Sequence, residues 1–383
     1  MNELATLIRQ HAKEHGFDAC YFSRPIIKNQ DKEALNHWLE HDYQADMTWM
    51  SEEMRLERRK DPKSMLDGVQ TVICLAMRHT PPAYDLETAK ASKEQGIIAS
   101  YAYGLDYHDV MKKRLKALAH DLDDVLGKHA QRVYVDTAPV LEHALAASAG
   151  LGWQGKHSLT IHREHGSYLM LGEIFTTAYI EENQAASQHC GSCTACLDVC
   201  PTRAIVAPYV VDANLCISYL TIEYKGVIPR HLRAKMGNHI YGCDDCQMVC
   251  PWNRKITPVD DLLMANQTHI RPMLSTLLVF NDDDFCQHFR KSPVKRTGRV
   301  ALLRNVCVAM GNSGCPDFIP SLLQASKADE SLIRIHAIWA LSQLINESAH
   351  VLQQLNDLEK DESDDGVLQE IAQCRQEAIA SAA

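Results

Sequence analysis

The chain has 383 residues, of which 46% are hydrophobic and 23% are charged. These proportions exclude a disordered or collagen-like chain, and the length predicts about two or three domains. The formal net charge of −10 excludes a general attraction to nucleic acid, so any such site must be a local basic patch. Cysteine is the unusual residue, because eight of the 14 cysteines fall between Cys190 and Cys250.

The N-terminal segment MNELATLIRQHAKEHGFDACYF is typical of an amphipathic helix. It lacks the apolar core of a signal peptide and a twin-arginine export signal. No stretch approaches the ~20 apolar residues of a membrane span. We therefore expect a cytoplasmic protein with no membrane contact, whose cysteines are metal ligands rather than disulfides.

Residues 1–183 alternate helix-like and strand-like segments, which favours an α+β domain with α/β-like character. Apolar residues at Leu4, Leu7, Ile8 and Ala12 have helical spacing. The further segments predict a strand over Val69–Met77, a helix over about His108–Leu126, a strand over Arg132–Val135, a helix over about Pro139–Ala149 and strands within Ser158–His162 and Ser167–Ile180.

Two more domains are predicted after this one. Residues 184–256 are cysteine-rich and carry little periodicity, so their core must be organised by metal. Residues 257–383 are helical in pattern, and within them Leu302–Asn312 aligns with Ile333–Gln343. Such a repeat predicts a short HEAT-like pair, and a plain helical bundle is the alternative.

The cysteine spacing predicts two [4Fe–4S] clusters. Cys190-x2-Cys193-x2-Cys196-x3-Cys200-Pro201 is the bacterial ferredoxin pattern, in which the fourth cysteine ligates the other cluster. The run Cys243-x2-Cys246-x3-Cys250-Pro251 lacks its first cysteine, and Cys216 supplies the missing ligand. The first cluster then takes Cys190, Cys193, Cys196 and Cys250, and the second takes Cys200, Cys216, Cys243 and Cys246. A pair of zinc sites is the weaker alternative.

Other motifs are less specific. Gly150–Gly155 fits GxGxxG, but a helix precedes it and a strand follows, the reverse of a dinucleotide site. A helix C-cap or a glycine turn beside a large ligand fits better. Asp136 ends an apolar strand and is either the N-cap of the next helix or a catalytic acid. His108, His143 and His157 are structural by default, with a functional role left open.

Two basic stretches contrast with the acidic total. Gln287–Arg304 holds six Lys or Arg and no acid, and Tyr224–Asn238 holds four and no acid. Each stretch is either a solvated face or part of a phosphate-binding surface.

Eight segments are informative together, and in order along the chain they are ERRKDP (57–62), YGLDYHDV (103–110), VDTAPVLEHALA (135–146), GLGWQGKHSL (150–159), GSYLMLGEI (166–174), CGSCTACLDVCPTRAI (190–205), CISYLTIEYKG (216–226) and GNHIYGCDDCQMVCPWN (237–253). In these segments the chain resembles the epoxyqueuosine reductase family, the cobalamin-dependent enzymes of tRNA queuosine synthesis.

This resemblance implies reduction of epoxyqueuosine to queuosine at the tRNA wobble position, by cob(I)alamin that receives electrons from the two clusters. It makes Asp136 the proton donor and implies tRNA contacts at Tyr224 and Lys225, to which the basic stretch adds Arg296 and Arg299. The implied pocket for base-off cobalamin contains Arg59, Ala99, Asp136, His157, Thr160, Leu171, Ser218, Cys243, Asp244, Asp245 and Cys246.

The implied partners are tRNA with a GUN anticodon carrying epoxyqueuosine and a low-potential donor of the ferredoxin or flavodoxin type. We expect a monomer. Two alternatives stay open: a reductive dehalogenase-like cobalamin enzyme acting on a small molecule, and a non-enzymatic two-cluster electron carrier. Extraction of a corrinoid from the purified protein separates the carrier from both enzymes.

The cluster assignment makes Cys216 essential although it lies outside both cysteine runs. We expect Cys216→Ala to lose the second cluster and keep the first, so that iron falls from about eight to about four per chain. Cys315→Ala is the matched control and should keep full iron. An iron content near eight in Cys216→Ala would contradict the assignment.

Overall fold

The computed structural model describes residues 3–257, 266–344 and 348–382. The helices are α1 Glu3–Glu14, α2 Asn29–Glu40, α3 Glu53–Lys60, α4 Leu86–Ala91, α5 Tyr107–Leu126, α6 Glu142–Ala149, α7 Ala195–Val199, α8 Ile217–Ile222, α9 Arg230–Arg233, α10 Asp245–Met248, α11 Leu274–Leu278, α12 Asp282–His288, α13 Arg299–Asn312, α14 Ile319–Ala325, α15 Ser331–Leu344, α16 Ser348–Glu359 and α17 Asp365–Ala382. The strands are β1 Ala19–Ser23, β2 Thr71–Arg78, β3 Ile97–Ile98, β4 Gln131–Tyr134, β5 Trp153–Gln154, β6 Thr160–Ile161, β7 Leu169–Thr176, β8 Ile205–Ala207, β9 Val210–Val211 and β10 His239–Tyr241.

The chain divides into two compact units, and each is discontinuous in sequence. The sheet unit comprises Met1–Pro81, Gly104–Asn214 and Asp245–Met264. The helical unit comprises Pro82–Tyr103, Leu215–Asp244 and Ala265–Ala383. The cysteine-rich segment contributes to both units, and the three-domain division at 183/184 and 256/257 stays a prediction. Among the described residues, no helix is long and apolar enough to span a membrane.

A four-stranded sheet in the order β1-β2-β7-β4 forms the centre of the sheet unit. Every neighbouring pair is antiparallel, so the domain is α+β rather than a parallel α/β sheet. The predicted strands at 69–77 and 132–135 and the helix at 108–126 are confirmed as β2, β4 and α5. Within Ser158–His162 only Thr160–Ile161 forms a strand.

Both faces of this sheet are covered, which explains why β2 is apolar throughout. Side chains alternate between faces along a strand, and Ile73, Leu75 and Met77 pack in the cluster that contains residues of α1 and α5. Val72 and Cys74 pack in the opposite cluster, with Leu145 and other residues of α6. A strand buried on both sides cannot show the polar alternation of an exposed sheet.

The layers bring the end of β4 to the beginning of α5. Asp106 is the N-cap of α5, and its side chain accepts a hydrogen bond from the His108 backbone N–H at 3.0 Å. β4 ends at Tyr134, which is paired with Glu173 of β7. Asp136 follows two residues later, so the sheet and α5 together determine where its carboxylate lies.

The helical unit is organised around α13, whose residues Ala301–Gly311 are all buried. The two aligned segments of the sequence repeat fall in α13 and α15, which pack together. Gly311 permits their close approach, because a Cβ there would lie 2.8 Å from the Ala340 Cα. Helix α15 in turn packs against α17.

Candidate active site and iron–sulfur ligands

Four cysteines of the sheet unit lie together as predicted for the first cluster. Cys190 packs against the cluster of apolar residues that contains buried Cys250. Burial first, and then the neighbouring thiols Cys190, Cys250 and Cys193, raise the pKa of Cys196 to about 11. Thiolates crowded in this way repel one another unless a cation separates them, so the donor set fits an iron–sulfur cluster.

The other ten cysteines comprise the predicted second set and six cysteines outside both sets. No disulfide joins any of the 14 cysteines, all of which lie within the described residues. Of the predicted second set, Cys200 and Cys246 belong to the sheet unit, whereas Cys216 and Cys243 belong to the helical unit. Four of the six other cysteines are buried, Cys315 is half-buried and Cys286 is exposed.

Asp136 is held by two donors at the start of α5. Its Oδ2 accepts hydrogen bonds from the Tyr107 hydroxyl and from His108 Nε2, each at 2.8 Å. Its side chain remains 51% exposed, and its φ of +35° is rare for a residue with a side chain. Because α6 begins at Glu142 with Leu141 as its N-cap, the N-cap interpretation of Asp136 is wrong.

His108 lies between two carboxylates, which stabilise its protonated form. Nδ1 is 2.7 Å from Asp106 Oδ1, and Nε2 contacts Asp136. Burial opposes the charge, but the hydrogen bonds and charges of both carboxylates outweigh it and raise the pKa of His108 to about 9. Burial likewise opposes ionisation of Asp136, yet the hydrogen bonds from His108 and Tyr107 leave its pKa lowered.

Two further acids, which the sequence analysis missed, lie behind Asp136. Glu142 Oε1 accepts the Asp136 backbone N–H at 2.7 Å. Burial and the Asp136 charge raise the pKa of Glu142 to about 8. Glu173 is 1% exposed, and burial raises its pKa well above the ordinary value. Burial thus favours the protonated form of both acids, which reduces the repulsion among three neighbouring carboxyl groups. Only the register of β4 with β7 identifies Glu173, and the sequence carries no signal of that pairing.

The predicted cofactor residues of the sheet unit are largely buried: Arg59, His157, Thr160 and Leu171 are each at most 7% exposed. His157 Nδ1 accepts the Leu159 backbone N–H at 3.2 Å, so the proton of the neutral ring is on Nε2. This Nε2 is buried and has no hydrogen-bond partner among the described residues. An unsatisfied donor at this position fits a polar ligand such as an amide-bearing corrin. Thr160 Oγ1 contacts His143 Nδ1 at 2.7 Å.

The helical unit contains Ala99, Ser218, Cys243 and Asp244 of the predicted pocket, and the sheet unit contains Asp245 and Cys246. Asp244 is 5% exposed and accepts the Ser100 backbone N–H at 2.6 Å. Gly242 has a φ of +69°, and a Cβ there would lie 2.5 Å from the Ala99 Cβ. This close approach brings Ala99 against the beginning of the Cys243–Cys246 loop.

The Gly150–Gly155 motif has a structural explanation. Gly150 is the left-handed C-cap of α6, and a Cβ there would lie 2.2 Å from the Gln184 carbonyl oxygen. A Cβ at Gly152 would lie 2.4 Å from the Ile161 carbonyl oxygen. The C-cap interpretation is confirmed.

Some basic residues of the two basic stretches are buried rather than exposed to solvent. Arg304 is fully buried and donates to the carbonyls of Leu220, Tyr224 and Gly226, so the prediction of a phosphate-facing stretch is wrong at Arg304. Arg299 pairs with Asp282 and Glu330, and its contact with tRNA stays a prediction.

The other predicted tRNA residues lie close together on the helical unit. Lys225 Nζ donates to the Thr297 carbonyl at 3.3 Å. Thr297 ends the 3₁₀ helix Pro293–Thr297, which carries the exposed Lys295 and Arg296. Tyr224 is half-buried and donates its hydroxyl hydrogen to the Val227 carbonyl at 3.0 Å.

The sheet unit contains both a set of four thiols and an aspartate that is hydrogen-bonded to a protonated imidazole. These two features are typical of an iron–sulfur oxidoreductase. The family model described as "4Fe-4S double cluster binding domain" matches residues 189–253. The model described as "Epoxyqueuosine reductase QueG, DUF1730" matches residues 59–137, which include Asp136. The chain is therefore an iron–sulfur reductase in its class.

Full-length comparisons identify the family. The chain is 39% identical to an epoxyqueuosine reductase of Shigella dysenteriae, with 90% of each chain covered. It is 40% identical to one of Pseudomonas aeruginosa, covering 88% of this chain and 94% of that one. A crystal structure of epoxyqueuosine reductase with a tRNA-Tyr epoxyqueuosine-modified stem loop has a TM-score of 0.89 and 28% identity, with 98% of each chain covered. This chain belongs to the epoxyqueuosine reductase family.

The contacts of His108 predict its titration. Its ring should stay protonated up to a pH of about 9, and in Asp136→Asn the pKa should fall because one of the two carboxylates is lost.

The same contacts predict how stability depends on pH. The pKa of His108 is higher in the folded protein than in the unfolded chain. The stability that His108 contributes is therefore complete below pH ~6.5 and is lost as the pH rises toward about 9. NMR titration of labelled histidine measures the first effect, and unfolding temperature against pH measures the second.

Asp109→Asn provides the matched control, because Asp109 is an exposed acid on the same helix. It should leave the His108 titration unchanged. A His108 that loses its proton near pH 6.5 in the wild type would contradict the double carboxylate contact.

Proposed function

We propose that this chain reduces epoxyqueuosine to queuosine in tRNA. The observation that carries the proposal is the half-exposed Asp136 carboxylate, which is hydrogen-bonded to the protonated His108 in a member of the epoxyqueuosine reductase family. Conversion of an epoxide to an alkene and water consumes two electrons and two protons. The site must therefore join an electron path to a proton donor.

The matched double-cluster segment supports two iron–sulfur clusters. We assign Cys190, Cys193, Cys196 and Cys250 to the first cluster, on the basis of their proximity in the sheet unit. The assignment of Cys200, Cys216, Cys243 and Cys246 to the second cluster rests on their spacing.

Cobalamin is the proposed partner of these clusters, and bound cobalamin would supply the low-potential cobalt that reduces the epoxide carbon. His157 would donate from Nε2 to a polar group of this cofactor, and Leu171 would provide apolar contact. The further residues proposed to hold it are Arg59, Asp136, Thr160 and Asp245 of the sheet unit and Ala99, Ser218 and Asp244 of the helical unit.

The chain's own acid–base chemistry centres on the His108–Asp136 pair. Asp136 is ionised before substrate binds, because its pKa is lowered. At neutral pH the proton is carried by His108 Nε2, 2.8 Å from Asp136 Oδ2. We propose that Asp136 receives this proton when water is excluded from around its carboxylate. Asp136 then passes the proton to the departing oxygen. Tyr107 fixes the orientation of the carboxylate.

The proposed tRNA surface of the helical unit contains Lys225, Lys295 and Arg296. Cations of this kind hold phosphates and position an RNA without reading its sequence. The modified base must leave the anticodon loop to reach the Asp136 carboxylate, as happens when proteins read single-stranded loops. We also propose that the C-terminal helices are HEAT-like, that the protein is a cytoplasmic monomer, and that its tRNAs carry GUN anticodons.

Replacement of Asp136 tests the proton donor. Asp136→Asn should lower turnover of epoxyqueuosine tRNA by about 10²–10⁴-fold, because an amide cannot deliver the proton. Iron and corrinoid content should be unchanged, and Asp109→Asn should keep near-normal turnover. The product is measured by mass spectrometry of nucleosides from the digested tRNA.

Near-normal turnover in Asp136→Asn, with clusters and cofactor intact, would contradict this role. The same assay with free epoxyqueuosine nucleoside tests the substrate. Equal turnover of the nucleoside and the tRNA would favour a small-molecule reductase instead.

Charge reversal tests the tRNA surface. Arg296→Glu should weaken binding of the tRNA stem loop and reduce the slope of log affinity against log salt by about one unit, as one phosphate contact is lost. Lys327→Glu, at an exposed lysine of the same unit, should reduce affinity less and leave the slope nearly unchanged. Identical titrations for Arg296→Glu and the wild type would contradict the surface.

A further inference from the structure

The first cluster set has one edge that faces solvent. Cys193 is exposed, whereas Cys196 and Cys250 are buried. The turn from Gly191 to Thr194 is exposed along its whole length. An electron that enters this cluster from a soluble donor has its shortest route through this turn.

Lys156 places a positive charge on the same turn. Its Nζ donates to the carbonyl oxygens of Gly191 and Cys193, each at 2.8 Å. Its own backbone carbonyl accepts the Tyr209 N–H at 2.9 Å. The ammonium group is therefore fixed beside the sulfur ligands.

Arg163 and His189 lie next to Cys190. His189 precedes Cys190 and packs edge-on against Trp153, with ring centroids 4.9 Å apart. Its Nε2 lies 3.5 Å from Arg163. The His189 ring also contacts Trp252, with centroids 5.9 Å apart.

Arg254 and Lys255, which follow Trp252 closely in sequence, are both exposed. We call Lys156, Arg163, Arg254 and Lys255 the basic rim. All four belong to the sheet unit.

The charge of the basic rim contrasts with that of the whole chain. The protein has a formal net charge of −10. Within the described segments 156–166, 186–203 and 247–257, the only acids are Glu164 and Asp198. Asp198 already accepts the Thr194 hydroxyl hydrogen at 2.7 Å. A cationic surface on an anionic protein steers an anionic partner to one orientation.

We propose that the basic rim is the docking surface for an acidic, low-potential, one-electron carrier protein that reduces the first cluster. This inference rests on the proposed function, which needs two electrons per turnover. At each encounter the carrier loses one electron and the first cluster gains it. Two encounters supply the two electrons that, with two protons, convert the epoxide to an alkene and water.

An RNA partner is the competing occupant of a basic surface. The rim favours a protein carrier because Lys156 contacts the exposed turn of a cysteine set. The neighbouring Trp153 is only 3% exposed, so it offers no stacking platform for bases.

The test measures cluster reduction rather than turnover. Anaerobic stopped-flow absorbance follows the first cluster of the complete enzyme when it is mixed with an acidic flavodoxin in its hydroquinone form. The rim variants are Arg254→Glu/Lys255→Glu and Arg163→Glu. The control is Lys112→Glu/Lys113→Glu, at two exposed lysines of α5 in the same unit. Reduced methyl viologen, a small cationic donor, reports whether the cluster itself is intact.

We expect the double rim variant to lower the second-order rate with flavodoxin by about tenfold or more at low salt and to flatten its ionic-strength dependence. The control pair should change it less than about threefold, and all proteins should react normally with methyl viologen. If the double reversal disturbs the cluster, Arg254→Gln/Lys255→Gln replaces it.

Three outcomes would overturn the proposal. The wild-type rate with flavodoxin could be independent of salt, the rim and control variants could be slowed equally, or the rim variants could lose tRNA affinity while keeping the flavodoxin rate. Failure of the proposed function is a separate result, because methyl viologen would then reduce the clusters without any conversion of epoxyqueuosine tRNA.

Discussion

The charge-assisted hydrogen bond between His108 and Asp136 is the interaction on which the candidate active site depends. It joins the segment that follows β4 to the first turn of α5. It also holds Asp136 at a positive φ, a backbone conformation that is strained for a residue with a side chain. Asp106 completes the arrangement, because it caps α5 and also contacts the second nitrogen of His108. One imidazolium between two carboxylates stores a proton at neutral pH without leaving a buried charge unpaired.

Glu142 and Glu173 are part of the same electrostatic balance. Glu142 accepts the backbone N–H of Asp136, and Glu173 lies on β7 between Leu171 and Phe175, which belong to the apolar cluster that includes residues of α6. If either acid ionised, its charge would oppose that of Asp136 in surroundings where water screens poorly. Burial prevents this by favouring their protonated forms. Asp136 is thereby the carboxyl group of the three whose ionised form its neighbours favour.

Local patterns predicted the parts of the fold that depend on neighbouring residues. The cysteine spacing predicted which four thiols of the sheet unit lie together, and apolar runs predicted β2 and α5. Features that depend on distant pairing were not accessible. Arg304 belongs to a basic stretch of sequence, yet it is buried because three carbonyls of the 220–226 segment meet it. Glu173 gave no signal because its importance comes from the β4–β7 register. The assignment of Asp136 as proton donor came from resemblance, since the strand pattern alone left a helix cap equally open.

The turn Gly155–Leu159 carries one residue of the proposed electron-entry surface and one residue of the proposed cofactor pocket. Gly155 N–H donates to the Leu159 carbonyl and Ser158 has a φ of +72°, so the turn is tight. Its two central residues extend to different groups. Lys156 contacts the carbonyls of the first-cluster turn, and His157 carries the buried donor that lacks a partner among the described residues. A tight turn of this kind keeps the proposed electron-entry turn and the proposed cofactor contact at a constant separation, because one short segment of backbone carries both residues. Glycine is required at the start of this turn because a Cβ at Gly155 would lie 2.7 Å from the His157 ring.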